Sequence, residues 1–446
     1  MSTSKPRQVH LAAHFPGVNS TTIWSHPDSK SHIEFPSFEH LARTSERGLF
    51  DFFFLAEGLR LREHKGEIFD LDVVGRPNTL AVLAALAGVT SHIGLAGTLS
   101  TTYNEPFDLA KQLATLDHLS GGRAAWNVVT SPDAFTGENF RRGGYLDYED
   151  RYHRSRDFIN VARTLWDANP AEAVQYASKF FDIDAKFPVP SSPQGHPVVF
   201  QAGDSDTGRE FAADSADVVF TRHAALEEGK AFYKDVKSRL ATYGRAEDDL
   251  KIFPGVTVVL GDSEADAIER SRHSHHQQIS GAGAIAFLEQ VWGRDLTEYD
   301  PEGPLPTVEP DVENISITRG RVRHAKDPLA VAAAWRARAE KDNLSIRELV
   351  IEVAARTSFV GTYKSVAEQI NEFIQQRAAD GFILVPSITP SGLDEFVDLV
   401  VPELQDRGVY RTEYPGTTLR DNLGISSSRP AAEWAQYRDN ALKVSV

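Results

Sequence analysis

The stretch GGRAAWNVVTSPDAFTGENFRRGGYLDYEDRYHRSRDFINVARTLW, Gly121 to Trp166, decides the fold. A glycine pair turns the chain and delivers Arg123, and the apolar run Ala124 to Val129 then reads as a strand buried on both faces. Asn127, Thr130 and Ser131 put hydrogen-bonding groups at its C-terminal end. After a loop rich in Gly, Asn and Asp, a helix opens near Asp150. One of its faces carries Tyr152, Phe158, Ile159, Leu165 and Trp166. A strand with a polar tip, a long loop and a covering helix make one eighth of an α/β-barrel active site.

Working outward, seven more units of this kind can be read. Strands are expected at Val9–Phe15, Leu49–Ala56, Ile93–Leu99, Pro197–Ala202, Asp217–Thr221, Lys251–Leu260 (broken at Pro254-Gly255) and Phe382–Pro386. Helices are expected at Phe38–Arg47, Asn78–Val89, Phe107–Leu119, Ala225–Tyr243 and Ser365–Arg377, with another after Gly208. About eight strand–helix units favour a (β/α)8 barrel over an open doubly wound sheet, and only the count separates the two. The chain reads as a single domain, 1–446, with an insertion of about 262–352 between strands seven and eight, as a lid or an oligomer contact. Within it Asp295 to Pro310 is acidic and proline-rich, and Pro16 to Phe35 reads as a second loop over the mouth.

Bulk properties narrow the function. The chain has 446 residues, 41% of them hydrophobic and 25% charged, the balance of a folded protein. A net charge of −16 argues against nucleic acid and anionic membrane surfaces as partners. Zero cysteines exclude disulfides, thiolate nucleophiles and Cys-ligated metals. Neither a membrane-spanning run nor a signal-like N-terminus is visible, so the cytoplasm is expected.

Several motifs compete for the chemistry. Gly203 to Gly208 (GDSDTG) joins a strand to a helix, and Ser205 there can assist an anion or simply cap the helix. Asp204 and Asp206 oppose a bare anion unless they point away. Gly281 to Ala286 (GAGAIA) fits a relaxed dinucleotide fingerprint, but no strand precedes it, which leaves no nicotinamide site of the usual kind. His273, His275 and His276 read as a solvated helix face rather than a metal site. Glu57, Thr98 and Asn127 fall at three strand tips facing one mouth, a set suited to a neutral hydrogen-bonding cofactor edge rather than to hydrolysis.

Five blocks carry a resemblance: ERGLFDFFFLAEG (Glu46 to Gly58), LATLDHLSGGRAAWNVVTS (Leu113 to Ser131), DRYHRSRDFINVARTLWD (Asp150 to Asp167), SPQGHPVVFQAGDSDTG (Ser192 to Gly208) and the C-terminal Gly392 to Ile425. With them the chain resembles, almost end to end, the flavin-dependent monooxygenases of the bacterial luciferase-like superfamily. The similar branch is that of nitrilotriacetate, dibenzothiophene sulfone and dimethylsulfide monooxygenases. The resemblance implies an insertion-bearing barrel that uses reduced FMN and O2 to oxygenate a small organic, S- or N-containing, molecule. The flavin would come from a separate NAD(P)H:flavin reductase, and the assembly would be a homodimer or homotetramer. It also implies FMN contacts at Glu57, Thr98, Asn127, Tyr148, Tyr152 and Ser205, with Tyr152 and Ser205 on the phosphate. Thr98 and Asn127 would stand near the reactive ring edge and His14 on the substrate side, the three catalytic candidates. The family usually has Asp at Glu57 and often His at Tyr148, which puts flavin affinity in question rather than flavin binding. A deazaflavin (F420) oxidoreductase and a non-catalytic flavin-binding protein are the alternatives on the same barrel.

Overall fold

In the computed structural model of the chain, the described residues are 5–16, 21–61, 63–68, 77–131, 134–140, 148–223, 225–313, 318–319, 327–354, 358–426 and 428–434. Eight parallel strands close a barrel: β1 His10–Phe15, β2 Phe52–Leu55, β3 Gly94–Ser100, β4 Ala124–Val129, β5 Val198–Gln201, β6 Val218–Thr221, β7 Lys251–Leu260 and β8 Gly381–Leu384. Each pairs with the next in chain order, and β8 pairs back onto β1 from Gly381↔His10 to Leu384↔Ala13, which completes the ring. The expected eight units are therefore all present. Helices α1 Phe35–Arg47, α2 Thr79–Ala87, α3 Pro106–Ser120, α4 Tyr148–Asp167, α5 Asp206–Ser215 and α6 Leu226–Arg239 follow β1 to β6.

The local signals act as read. Asn78 accepts the Ala81 N–H at the start of α2, and Gly121, at φ +68°, closes α3 in the left-handed conformation that favours glycine. Phe158, Ile159, Leu165 and Trp166 of α4 are buried. The Phe158 ring lies 5.6 Å from Trp126, which points outward from β4, so this contact seats α4 on the barrel wall.

Inside the barrel, small residues alternate with large ones. Ala12, Ala96 and Ala125 on one side leave room for Phe52, Phe54, Phe200 and Phe253. Leu419 and Leu423, on a short C-terminal helix, join the same cluster and plug the end where the strands begin.

One expectation is corrected. Pro254-Gly255 does not break the seventh strand: β7 runs unbroken from Lys251 to Leu260. Gly255 makes room for a ring instead, because a Cβ there would stand 2.8 Å from the Phe220 ring. Beyond the barrel wall, β7 continues upward and pairs with the strand Ser358–Gly361 in register Thr257↔Ser358 to Leu260↔Gly361. Those two edges bracket the insertion.

The insertion contains α7 Glu264–Gln278, α8 Gly281–Trp292, α9 Pro328–Asp342 and α10 Ile346–Ala354, and the chain returns to β8 through α11 Tyr363–Gln375. Ile285, Leu288, Trp292, Ala332, Ile346 and Val350 belong to a core of the insertion's own. Parts of the insertion (314–317, 320–326) and of the long loop after β4 (132–133, 141–147) lie outside the described residues. GAGAIA opens α8, capped by Ser280 and preceded by a helix rather than a strand. No helix among the described residues is long and apolar enough to cross a membrane.

Candidate active site

The mouth is the end where the strands finish. Thr98 on β3 and Asn127 on β4 are register partners, and both belong to the inward-facing rows that carry Ala96 and Ala125. They are 7% and 3% exposed. Asn127 Nδ2 donates to Thr98 Oγ1 over 2.9 Å, which leaves Asn127 Oδ1 as a buried acceptor with no hydrogen-bond partner. Such an atom is costly to bury, and a ligand N–H would relieve that cost. Just beyond, hydroxyls tie the two strand tips together. Ser100 meets Ser131 at 2.8 Å, and the Ser131 N–H donates to Thr102 Oγ1.

His14 on β1 is the register partner of Phe54 on β2, and their rings stack with centroids 5.4 Å apart. Phe54 in turn lies nearly parallel to Phe200 of β5 and Phe220 of β6, at 6.4 and 6.0 Å. These rings form an apolar layer inside the barrel, below the polar tips. Sequence reading took Leu49–Ala56 as undifferentiated core and missed Phe54 and Phe220. The signal was the two-residue alternation of a strand, which carries the inward row from Ala12 to His14 and from Phe52 to Phe54.

Glu57 stands just past β2. Its carboxylate accepts the backbone N–H of Thr79, the first residue of α2, yet burial outweighs that bond and pushes the carboxyl above its ordinary value. Tyr148 begins α4, but its side chain lies outside the described residues. Tyr152, one turn on, packs edge-on against Phe211 of α5 at 5.8 Å. Ser205 caps that same helix by accepting the Gly208 N–H at 3.1 Å. The capping role left open in the sequence is thus present, and the hydroxyl stays on an exposed residue at the helix N-terminus.

The two glycines of GDSDTG face each other. A Cβ on Gly208 would meet Gly203 Cα at 3.0 Å, so the loop and helix backbones can meet only without side chains. Asp206 does point away, held by Arg239 at 2.6 Å. Asp204 stays on the mouth side, where Thr221 Oγ1 reaches it at 3.5 Å.

The candidates from β1 to β5 therefore form a crescent around one mouth: His14, Glu57, Thr98, Asn127, Tyr152 and Ser205. Their chemistry fits a flavin. The buried Asn127 acceptor and the Thr98 hydroxyl suit the polar edge of a heterocycle, and the phenyl layer suits its flat face. A hydroxyl at a helix N-terminus suits a phosphate.

Loops roof this mouth. Ile23 and Lys30, in the loop after β1, donate backbone N–H groups to Ser387 and Thr389 beyond β8. Arg60, in the loop after β2, donates to Phe135 O and Glu138 in the loop after β4. The hairpin Glu63–Ile68 gains a third strand from the insertion, Thr318–Arg319. A charged knot fastens it further. Glu289, 1% exposed on α8, takes His64 Nε2 at 2.6 Å and Lys65 Nζ at 2.8 Å, and Lys65 also reaches Asp295.

The sequence model for luciferase-like monooxygenases matches residues 15–381. Nitrilotriacetate monooxygenase component A of Aminobacter aminovorans is 37% identical, over 90% of this chain and 93% of that one. The dibenzothiophene-sulfone monooxygenase of Rhodococcus erythropolis is 36% identical, over 95% and 98%. Both belong to the branch that the five sequence blocks resemble. Among solved structures, a riboflavin lyase crystallised with modified FMN and riboflavin superimposes with a TM-score of 0.78 at 27% identity, covering 97% of this chain and 99% of that one.

Proposed function

Because the chain belongs to the luciferase-like monooxygenase family, we propose that it is the oxygenase component of a two-component system using reduced FMN and O2. The substrate in this reading is a small S- or N-containing organic molecule, and the reduced flavin comes from a separate NAD(P)H:flavin reductase. One observation carries the site assignment: the buried, unpartnered Asn127 Oδ1 beside Thr98, at the rim of an apolar layer. The relatives' names support the chemistry, one being a component A, and so does the FMN of the riboflavin lyase structure.

In this reading Asn127, Thr98 and Glu57 hold the isoalloxazine, and Tyr148, Tyr152 and Ser205 hold its ribityl phosphate end. When bound, reduced FMN supplies the electrons that activate O2. The chain's own residues do the rest. Asn127 fixes the Thr98 hydroxyl as an acceptor, so its proton is left to face the ligand. The Phe54, Phe200 and Phe220 layer keeps water from entering through the barrel. The roof loops close the other side. His14, stacked on Phe54, stands on the substrate side and can carry or release a proton there.

The test combines the chain with a generic flavin reductase, FMN, NADH and a panel of thioethers, sulfones and amines under 18O2. One labelled oxygen atom in a product supports the reading. If every panel compound returns unlabelled while hydrogen peroxide accounts for all the O2 consumed, the reading fails.

A further inference from the structure

Three neighbouring strand tips at the mouth lead into contacts with one short turn. The turn is 134–140, in the loop after β4, and it includes the one-turn helix Ala134–Gly137. Arg60, three residues past Glu57, grips it in several ways at once. Its Nη1 donates to Phe135 O over 2.7 Å and to Glu138 Oε2 over 2.6 Å, and its guanidinium carbon lies 3.8 Å from the centre of the Phe135 ring. Nη2 reaches back to Glu63 Oε1 at 3.2 Å. Beside this, Asn139 Nδ2 donates to Leu59 O over 2.8 Å. A third tie is aromatic: Tyr103, just past the β3 tip, stacks on Phe140 with ring centres 4.4 Å apart and planes 8° from parallel.

Glu57 runs directly into Leu59 and Arg60, Thr98 into Tyr103, and Asn127 into the turn itself. The turn is thus tied to each of the three strands that carry the candidate isoalloxazine contacts. The fastenings elsewhere around the mouth use other residues. Ile23 and Lys30 join the loop after β1 to the loop after β8, and Glu289 joins the insertion to the hairpin. None of the contacts just described for the turn comes from the insertion.

The grip is that of a latch. Phe135 is buried, whereas Glu138 and Asn139 are exposed. A cation over a ring and hydrogen bonds between partly exposed side chains are each weak, so the turn can open while the barrel stays folded. The position favours arginine, because a planar fork offers donors and a face together, and an ammonium group does not.

We propose that Arg60 is a positioning residue that latches the turn 134–140 across the tips of β2, β3 and β4, and that this latch sets how long the flavin stays bound. The inference rests on the flavin reading given above and adds a route to it: flavin leaves when this turn opens, with the insertion still in place.

The test is the release of FMN from the whole chain, oxidised in air or photoreduced under nitrogen, followed by flavin absorbance and fluorescence. Wild type is compared with Arg60→Gln, Arg60→Lys and Glu289→Gln. Arg60→Gln should raise the off-rate by about tenfold and increase the share of O2 released as hydrogen peroxide, with Arg60→Lys in between. The Tm of the flavin-free chain should move by less than about 2 °C, and Glu289→Gln should leave the off-rate within about twofold. Should Arg60→Gln not fold, Asn139→Ala, at an exposed position, takes its place and should raise the off-rate by about threefold. An unchanged off-rate in the variant used overturns the proposal, as does a Glu289→Gln off-rate raised as far as that of the latch variant. Failure of wild type to bind FMN in either state overturns the flavin reading together with the latch, whereas tight binding with unaltered release removes the latch alone.

Discussion

Asn127 has two functions at once, orienting Thr98 and presenting a bare acceptor, so its replacement separates catalysis from folding. Asn127→Ala should lower kcat by roughly tenfold to a hundredfold, with Tm changing far less than for a core truncation. Steady-state rates at saturating reduced FMN, alongside thermal melts, check this; unchanged kcat would remove Asn127 from the site. Glu57 makes a different prediction. Its carboxyl is raised above its ordinary value, chiefly by burial. The folded protein therefore binds that proton more tightly than the unfolded chain. The group's contribution to stability is present below the unfolded pKa and is lost as pH rises through the folded one. Glu57→Gln, permanently neutral, should flatten the fall in Tm as pH rises above the ordinary carboxylate range. Identical slopes in the two proteins would contradict it. Thr98, Asn127 and Glu57 were legible as strand-tip residues because a strand's end follows from its apolar run. Which of their atoms lacks a partner was not, since that depends on the register of two strands distant in sequence.

At the scale of elements, a device recurs at the base of the barrel. An aspartate stands immediately before β2, β6 and β8, as Asp51, Asp217 and Asp380. Each accepts the N–H of the second residue of the strand before it: Leu11 at 3.1 Å, Val199 at 2.9 Å and Ile252 at 2.9 Å. Each is also paired with a cation, Asp51 with Arg411, Asp217 with Arg420 and Asp380 with Lys237. In all three the carboxyl lies below its usual value although burial opposes this, chiefly because of those cations, helped at Asp217 and Asp380 by the amides. Lowered folded values mean that this stabilisation is present above the unfolded carboxylate pKa and is lost as pH falls through the folded values. Asp217→Asn leaves Arg420 buried without its counter-charge, and should cost roughly 3–5 kcal/mol while making the remaining acid unfolding less steep. Urea melts at neutral and acidic pH measure both. The signal was in the sequence, where FD-FFFL, AD-VVFT and AD-GFIL each set an aspartate before an apolar run. Strand positions were readable from those runs. The break expected at Pro254-Gly255 was not real, because Gly255 answers to the Phe220 ring, on another strand.

For the molecule as a whole, the barrel was legible, whereas the contacts of the segments expected over its mouth were not. Eight apolar runs with intervening helices imply a closed ring, but contacts between three loops and an insertion leave no periodic trace. The clearest of these contacts is the buried Glu289, which holds His64 and Lys65 and so fastens the loop after Glu57 to the insertion. Glu289→Gln should weaken that fastening, raising the substrate KM and the share of O2 released as hydrogen peroxide by roughly twofold to tenfold, with the barrel's unfolding little changed. A product-to-peroxide ratio equal to wild type would show that the roof closes without it.

The continuation of β7 beyond the barrel wall has a consequence for how such proteins diversify. Leu260 and Gly361 are direct neighbours, so everything between them departs from and rejoins the scaffold at one doorway. A segment attached in this way adds little loop-closure entropy whatever its length, and it brings a private core with it. It is a cassette. Grafting the corresponding stretch of another family member between Leu260 and Ser358 should leave the host's flavin affinity within about threefold while redirecting which molecules are oxidised, a swap that flavin titration and the same substrate panel would read side by side.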